Sequence, residues 1–238
     1  MPRAKLFHIS GFPLHITHRC HNRDFLLKFA KDRMRWLHWL LQAKKRYGLT
    51  VLGYAVTSNH IHLLSLSDRR PWAIPRSLQL IASRTARDYN LRKSRSGAFW
   101  EDHYHATVVE NDTHLFQCLV YIELNMVRAG VVEHPSQWPF CGYQEIMKGK
   151  ERYRIIDTQA LMKLTGIENT RRLRRDYESW IETALERNEL KRESRWSESV
   201  AVGTKEFVER IKKRLGGEAN YRAVRREQAC YMLKEEWP

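Results

Sequence analysis

The sequence predicts an α+β fold: a ferredoxin-like β-α-β-β-α-β core, a further helix after the fourth strand, and a helical C-terminal extension. Three observations predict it. Two apolar runs, Leu49–Val56 and His60–Leu66, meet at the polar corner Thr57–Ser58–Asn59. Ser and Asn side chains bond local backbone and Asn tolerates left-handed geometry, so such corners join antiparallel strands. A long segment of helical period lies on either side of this hairpin, and each is bounded at its outer end by a strand-like run. That order is the split β-α-β arrangement, one sheet with helices on one face.

The elements follow in order. Phe7–Cys20 is the first strand, entered at Pro13, and the basic loop after it (Arg19, His21, Asn22, Arg23) suits phosphate or a plain connection. Asp24 is placed to cap a helix from Phe25 to about Arg46 with an apolar face of Phe25, Phe29, Met34, Trp36, Leu37, Leu40 and Leu41; Gly48 stops it. Pro71 and Pro75 open a second helix reaching about Leu91, whose core stripe is Ile74, Leu78, Ile81, Ala82 and Thr85. Arg76, Arg84, Arg87, Arg92, Lys93 and Arg95 run along and beyond it toward Phe99, Trp100 and Tyr104, and arginines beside aromatics are how single strands are held. His103–Glu110 is the fourth strand. Asp112 or Thr113 then caps a helix with apolar Leu115, Leu119, Ile122 and Met126, ended by Gly130. Residues 131–149 are loop, tacked to the sheet by Trp138 and Phe140. A composition shift at Met147–Arg154 divides a domain of residues 1–148 from an extension of residues 149–238. The extension predicts helices at Thr158–Leu164, Arg171–Glu189, Lys205–Leu215 and Asn220–Lys234, the last a small candidate for contacting DNA.

Composition narrows the partner. The 238 residues carry a formal net charge of +15, which implies a polyanion, most plausibly nucleic acid. Residues 1–150 hold 22 Lys/Arg against 11 Asp/Glu, residues 151–238 hold 20 against 16, so the excess lies with the first part. No apolar run approaches the ~20 residues that span a bilayer, and Met1–Ile9 is basic without the apolar stretch of a signal peptide. The expectation is a cytoplasmic, nucleoid-associated protein with no membrane partner. Four scattered cysteines without a C-x-x-C pair argue against a zinc ribbon and for reduced thiols.

The candidate chemistry sits on two segments. His60 and His62, two apart on a strand, point to one face and could share a divalent cation if a third ligand comes from elsewhere; the pair alone could equally be a solvated strand face. On the helix ending at Gly130, Tyr121 and Asn125 are four apart and share a stripe with Arg128. A tyrosine nucleophile, an amide oxygen for a metal and an arginine for phosphate could face one point, or the tyrosine could merely rim the core.

Taken together, Asn59-His60-Ile61-His62-Leu63-Leu64 and, downstream, Tyr121-Ile122-x-Leu124-Asn125-x-Val127-Arg128-Ala129-Gly130 resemble the single-tyrosine HUH transposases, IS200-like, and within them the REP-associated tyrosine transposases. The resemblance covers about the first 145 residues, including Gly11–Arg19 and Phe99–His105. It implies the ferredoxin-like fold and cleavage of single-stranded DNA by Tyr121 through a 5′-phosphotyrosine, with Mg²⁺ or Mn²⁺ held by His60, His62 and Asn125. It implies a hairpin partner, a REP-like palindrome. Candidate DNA contacts are Arg19, Arg23, Arg84, Arg87, Arg95, Tyr104, His105 and Arg128. Asn125 stands where the insertion-element enzymes have glutamine but fits the REP-associated branch; Met126 stands where many members have proline.

Three function classes compete: this transposase or nuclease, a domesticated non-catalytic hairpin-binding regulator, and a metal-dependent hydrolase of small substrates. The net charge and the Tyr121–Asn125 pair argue against the third. The state is monomer or homodimer; two copies exchanging their Tyr121 helices would make a composite site.

Overall fold

The computed structural model describes residues 9–67, 70–111, 113–149, 152–188, 190–227 and 230–235. Phe7, His8, Asp112 and Glu189, and Lys150 and Glu151 at the expected boundary, lie outside these. The first half follows the expected order: β1 (Pro13–Arg19), α1 (Ala30–Tyr47), β2 (Thr50–Val56), β3 (His60–Leu66), α2 (Ala73–Arg92), β4 (His105–Val109), α3 (Thr113–Glu123) and the single turn α4 (Asn125–Arg128). β1 lies between β3 and β4 and is antiparallel to both, with Thr17 opposite His62 on one side and His105 on the other. Side chains alternate across a strand, so His60 and His62 share one face with Arg19, Thr17 and His15 of β1. Ile16, Ile61 and Leu63 turn the other way and are wholly buried. α3 crosses the histidine face, which leaves the mutually packed pair α1 and α2 to cover the opposite one.

α1 starts later than its apolar pattern suggests. Asn22 and Arg23 take left-handed φ of 52° and 59°, so the chain turns at His21–Arg23 and the helix begins only at Ala30. Asp24 is therefore no cap, and Phe25 (65%), Phe29 (55%) and Met34 (58%) are exposed, whereas Trp36, Leu37, Leu40 and Leu41 are buried as expected. Gly48 ends α1 at φ 66°, its N–H donating to the Lys44 carbonyl. Trp138 donates from Nε1 to the Val56 carbonyl at 3.1 Å, so the loop after Gly130 is indeed pinned to the sheet edge.

α3 approaches β2 closely because Gly53, at a register shift in the β2–β3 pairing, has no side chain. A Cβ there would stand 2.8 Å from Cδ2 of the wholly buried Leu119. Gly53→Ala is expected to destabilise the fold by about 1–3 kcal/mol, the scale of overpacking a filled core. Denaturant unfolding checks this.

The second half corrects the sequence reading. α5 (Tyr143–Lys148), α6 (Thr158–Thr165), α7 (Thr170–Glu186), α8 (Arg195–Glu198) and α9 (Lys205–Leu215) are helices, but β5 (Ser199–Gly203), β6 (Arg222–Glu227) and β7 (Cys230–Glu235) are strands. The expected helix at Asn220–Lys234 is a hairpin, and the extension is not purely helical. β5 pairs in parallel with β4, so one seven-stranded sheet runs β2-β3-β1-β4-β5-β7-β6 through both halves of the chain. Buried Val202, Met232 and Leu233 continue the hydrophobic core. β6 is the edge, and its Arg222, Arg225 and Arg226 are the charges that keep an open edge from pairing with another chain.

Candidate active site

The histidine strand is held by its own corner. Thr57 accepts at Oγ1 from the backbone N–H of His60 (3.0 Å), and Asn59 Oδ1 accepts from His60 Nδ1 (2.7 Å). A carbonyl oxygen only accepts, so Nδ1 of His60 carries the proton and Nε2 keeps its lone pair. Burial, with the charges of Arg19, Arg128 and Arg192 next, brings the His60 pKa down to about 4. The ring is neutral at pH 7.

His62 lies deeper, 3% exposed, and burial lowers its pKa further below the ordinary range. Its Nδ1 meets Nε2 of His15 at 2.9 Å, and its Nε2 meets the Asn125 side-chain amide at 2.8 Å. The His60 and His62 rings are 4.9 Å apart. Above them, α3 brings the Tyr121 ring to 5.9 Å from His62, and the Arg128 guanidinium lies 4.1 Å over that ring while donating to the Tyr121 carbonyl at 2.7 Å. Burial raises the tyrosine pKa; Arg128 and Arg192 pull it back. Tyr121, His60, His62 and Asn125 thus converge on one cleft.

These side chains open on a cleft of about 740 Å³. Of the expected DNA contacts, Arg19, Arg23, His105 and Arg128 line it. Tyr104 borders an adjoining hollow of about 440 Å³ with Trp72 and Arg76. Arg84 lies over Trp39, Arg87 is exposed on α2, and Arg95 folds back on Asn90 and the Ala98 carbonyl; none of the three reaches the cleft lining. Phe99 is buried, and Trp100 stacks on His18 with centroids 4.2 Å apart.

Sequence reading missed four contributors. His15 and His18 stand on β1, and Arg192 and Ser197 come from the extension to line the cleft. The alternation His15, Thr17, Arg19 was the available signal for the first; nothing local marks Arg192. His18 also makes a pH prediction. Burial brings its pKa to about 4, against the bond to the Asp102 carbonyl. The unfolded value, 6.5, is higher, so the unfolded chain binds the extra proton, and the stability is complete above pH 6.5 and lost as pH falls toward 4. Urea midpoints at pH 7 and pH 5 should converge in His18→Phe relative to the parent.

A metal could be held only by a mixed set. Among the described residues no three His, Cys, Asp or Glu side chains gather as ligands. Two neutral imidazoles with Nε2 lone pairs and one amide fit a divalent cation that accepts nitrogen and oxygen. Among the described residues no helix is long and apolar enough to cross a membrane.

The sheet thus bears paired neutral histidines, faced by a tyrosine under an arginine in a basic cleft. Residues 8–125 match the family model described as transposase IS200 like. Among solved structures, a REP-associated tyrosine transposase bound to a REP hairpin is similar at 17% identity, with a TM-score of 0.49 over 66% of this chain and 94% of that one. A putative transposase from Deinococcus radiodurans is similar at 15% identity, with a TM-score of 0.34 over 44% of this chain and 84% of that one. No curated protein sequence matches the chain.

Proposed function

We propose that the chain is a single-tyrosine DNA transposase that cleaves and rejoins single-stranded DNA beside a hairpin. The observation that carries this reading is the convergence of Tyr121, His62 and Asn125 beneath Arg128 in one basic cleft. Tyr121 gives its phenol proton to solvent and its oxygen attacks the scissile phosphorus; the new bond is a 5′-phosphotyrosine, the bond to the 3′-oxygen breaks, and that oxygen takes a proton from solvent to leave as a 3′-hydroxyl. Arg128 stabilises the tyrosinate as its proton leaves, and Arg19, Arg23 and Arg192 seat the flanking phosphates. His60, His62 and Asn125 are the residues that would hold Mn²⁺ or Mg²⁺, with imidazole suiting Mn²⁺ better. When bound, the cation neutralises charge on the scissile phosphate. The phosphotyrosine conserves the energy of the broken bond, so a 3′-hydroxyl can reverse the step without ATP.

The REP-like hairpin as partner follows from Asn125, which fits the REP-associated motif. The extension beyond residue 148 adds DNA contacts through Arg192, and the protein works in the cytoplasm at the nucleoid. The test is a denaturing gel of protein with labelled hairpin oligonucleotides from the flanks of its own gene, with Mn²⁺, Mg²⁺ or chelator. A metal-dependent, detergent-resistant shifted band is expected. Hairpins bound but never linked would overturn catalysis in favour of a hairpin-binding regulator.

A further inference from the structure

The deepest atom of the site belongs to the extension. His15 is wholly buried on β1, and its Nδ1 lies 2.8 Å from the backbone carbonyl of Trp196, 181 residues later in the chain. A carbonyl oxygen only accepts, so this nitrogen must carry the proton of a neutral ring. Nε2 of His15 is then a lone pair, and at 2.9 Å it can only accept from Nδ1 of His62. That leaves Nε2 of His62 unprotonated, facing the Asn125 amide at 2.8 Å. One direction of donation runs through the whole chain, Asn125 to His62 to His15 to Trp196. The His15 and His62 rings are near-parallel, with centroids 5.1 Å apart, so orientation is fixed together with tautomer. Trp196 itself is wholly buried, and the Thr107 hydroxyl lies 3.3 Å from its carbonyl and 2.7 Å from that of Ser199, which ties this turn to β4.

We propose that His15, anchored by the Trp196 carbonyl, is a positioning residue that locks His62 in the tautomer whose Nε2 keeps the lone pair that would ligate the cation in place of the Asn125 N–H. An outer partner of this kind orients a metal-binding imidazole and raises its basicity. The proposal rests on the metal-dependent reading above and deepens it: residues beyond the family-matched stretch 8–125 set the protonation pattern of the histidine motif. His15→Gln tests the geometry, because a glutamine amide can both accept from His62 and donate to Trp196. His15→Leu removes both bonds while remaining apolar.

The experiment is two-bond ¹H–¹⁵N correlation NMR of histidine-labelled, metal-free full-length protein, followed by Mn²⁺ titration read by electron paramagnetic resonance. In the parent, His62 should show the Nδ1–H tautomer, retained in His15→Gln and lost to a mixture in His15→Leu. Mn²⁺ affinity should fall about 10–100-fold in His15→Leu, the range for a lost outer partner, and by much less in His15→Gln. A parent His62 protonated on Nε2 would overturn the proposal whether or not the leucine variant folds. So would a folded His15→Leu with unchanged His62 tautomer and parental Mn²⁺ affinity. The NMR needs neither metal nor DNA. A parent with the expected tautomer that binds no Mn²⁺ therefore supports the relay while overturning the metal reading on its own.

Discussion

Tyr121→Phe is expected to abolish the covalent protein–DNA adduct while leaving hairpin binding within about twofold of the parent, since one hydroxyl at the reacting centre adds little to a phosphate-dominated affinity. The substitution keeps the ring, and with it the packing against His15 and His62 and the guanidinium of Arg128 at 4.1 Å. What it removes is the oxygen proposed as the nucleophile. Strand cleavage should drop by roughly 10⁴–10⁶-fold, the scale seen when the covalent nucleophile of an enzyme is deleted. Burial makes the outcome sharper. Tyr121 is 5% exposed, and burial raises its pKa, so the resting group is the neutral phenol and needs Arg128 and a bound phosphodiester to become reactive. Arg128→Lys, by contrast, keeps the charge but loses the flat cation over the ring, and cleavage should fall by a lesser factor of about 10–100. Single-turnover assays on a denaturing gel, beside binding on a native gel, separate the two readouts. Residual adduct in Tyr121→Phe would assign the nucleophile elsewhere.

How far the sequence displayed this site depends on whether the determinants were local. The β2–β3 hairpin was legible because the turn chemistry of Thr57–Ser58–Asn59 and the alternation after it act within ten residues. Tyr121, Asn125 and Arg128 were legible as a stripe for the same reason, although the helix breaks at Leu124 before α4 resumes. Arg84, Arg87 and Arg95 lie away from the cleft lining, because a basic stripe on a helix says nothing of which face the sheet leaves open. The hairpin β6–β7 was hidden more deeply. Arg222–Glu235 is rich in Arg, Glu, Met, Leu and Lys, good helix formers, and its strand state comes from pairing with β5, a tertiary effect that overrides weak local preference. β5 itself, Ser199–Gly203, was not read as a strand because its apolar run is short and abuts the helix that Thr204 caps. His15 escaped for a related reason: its partners are 47 and 181 residues away.

His60→Ala and His62→Ala should both eliminate metal-dependent cleavage, yet they should differ in stability. Each removes a proposed ligand, so the loss of Mn²⁺ affinity should exceed the roughly 10–100-fold that an outer partner costs. His60 sits at the rim, and its bonds are to its own corner, Thr57 and Asn59, which keep other partners or reach water. His62 is buried between His15 and Asn125, and alanine there leaves the His15 Nε2 without its donor inside the protein. An orphaned buried polar atom costs about 1–3 kcal/mol, and the cavity left by the ring adds to it. His62→Ala should therefore melt well below the parent and His60→Ala close to it, as measured by calorimetry without metal. Equal melting temperatures would mean that His62 is not the buried link between strand and helix. Retained cleavage in either variant would remove that histidine from the metal set. Because the two measurements are independent, a protein that keeps its melting temperature and loses its metal identifies His60 as a ligand whose only task is at the cation.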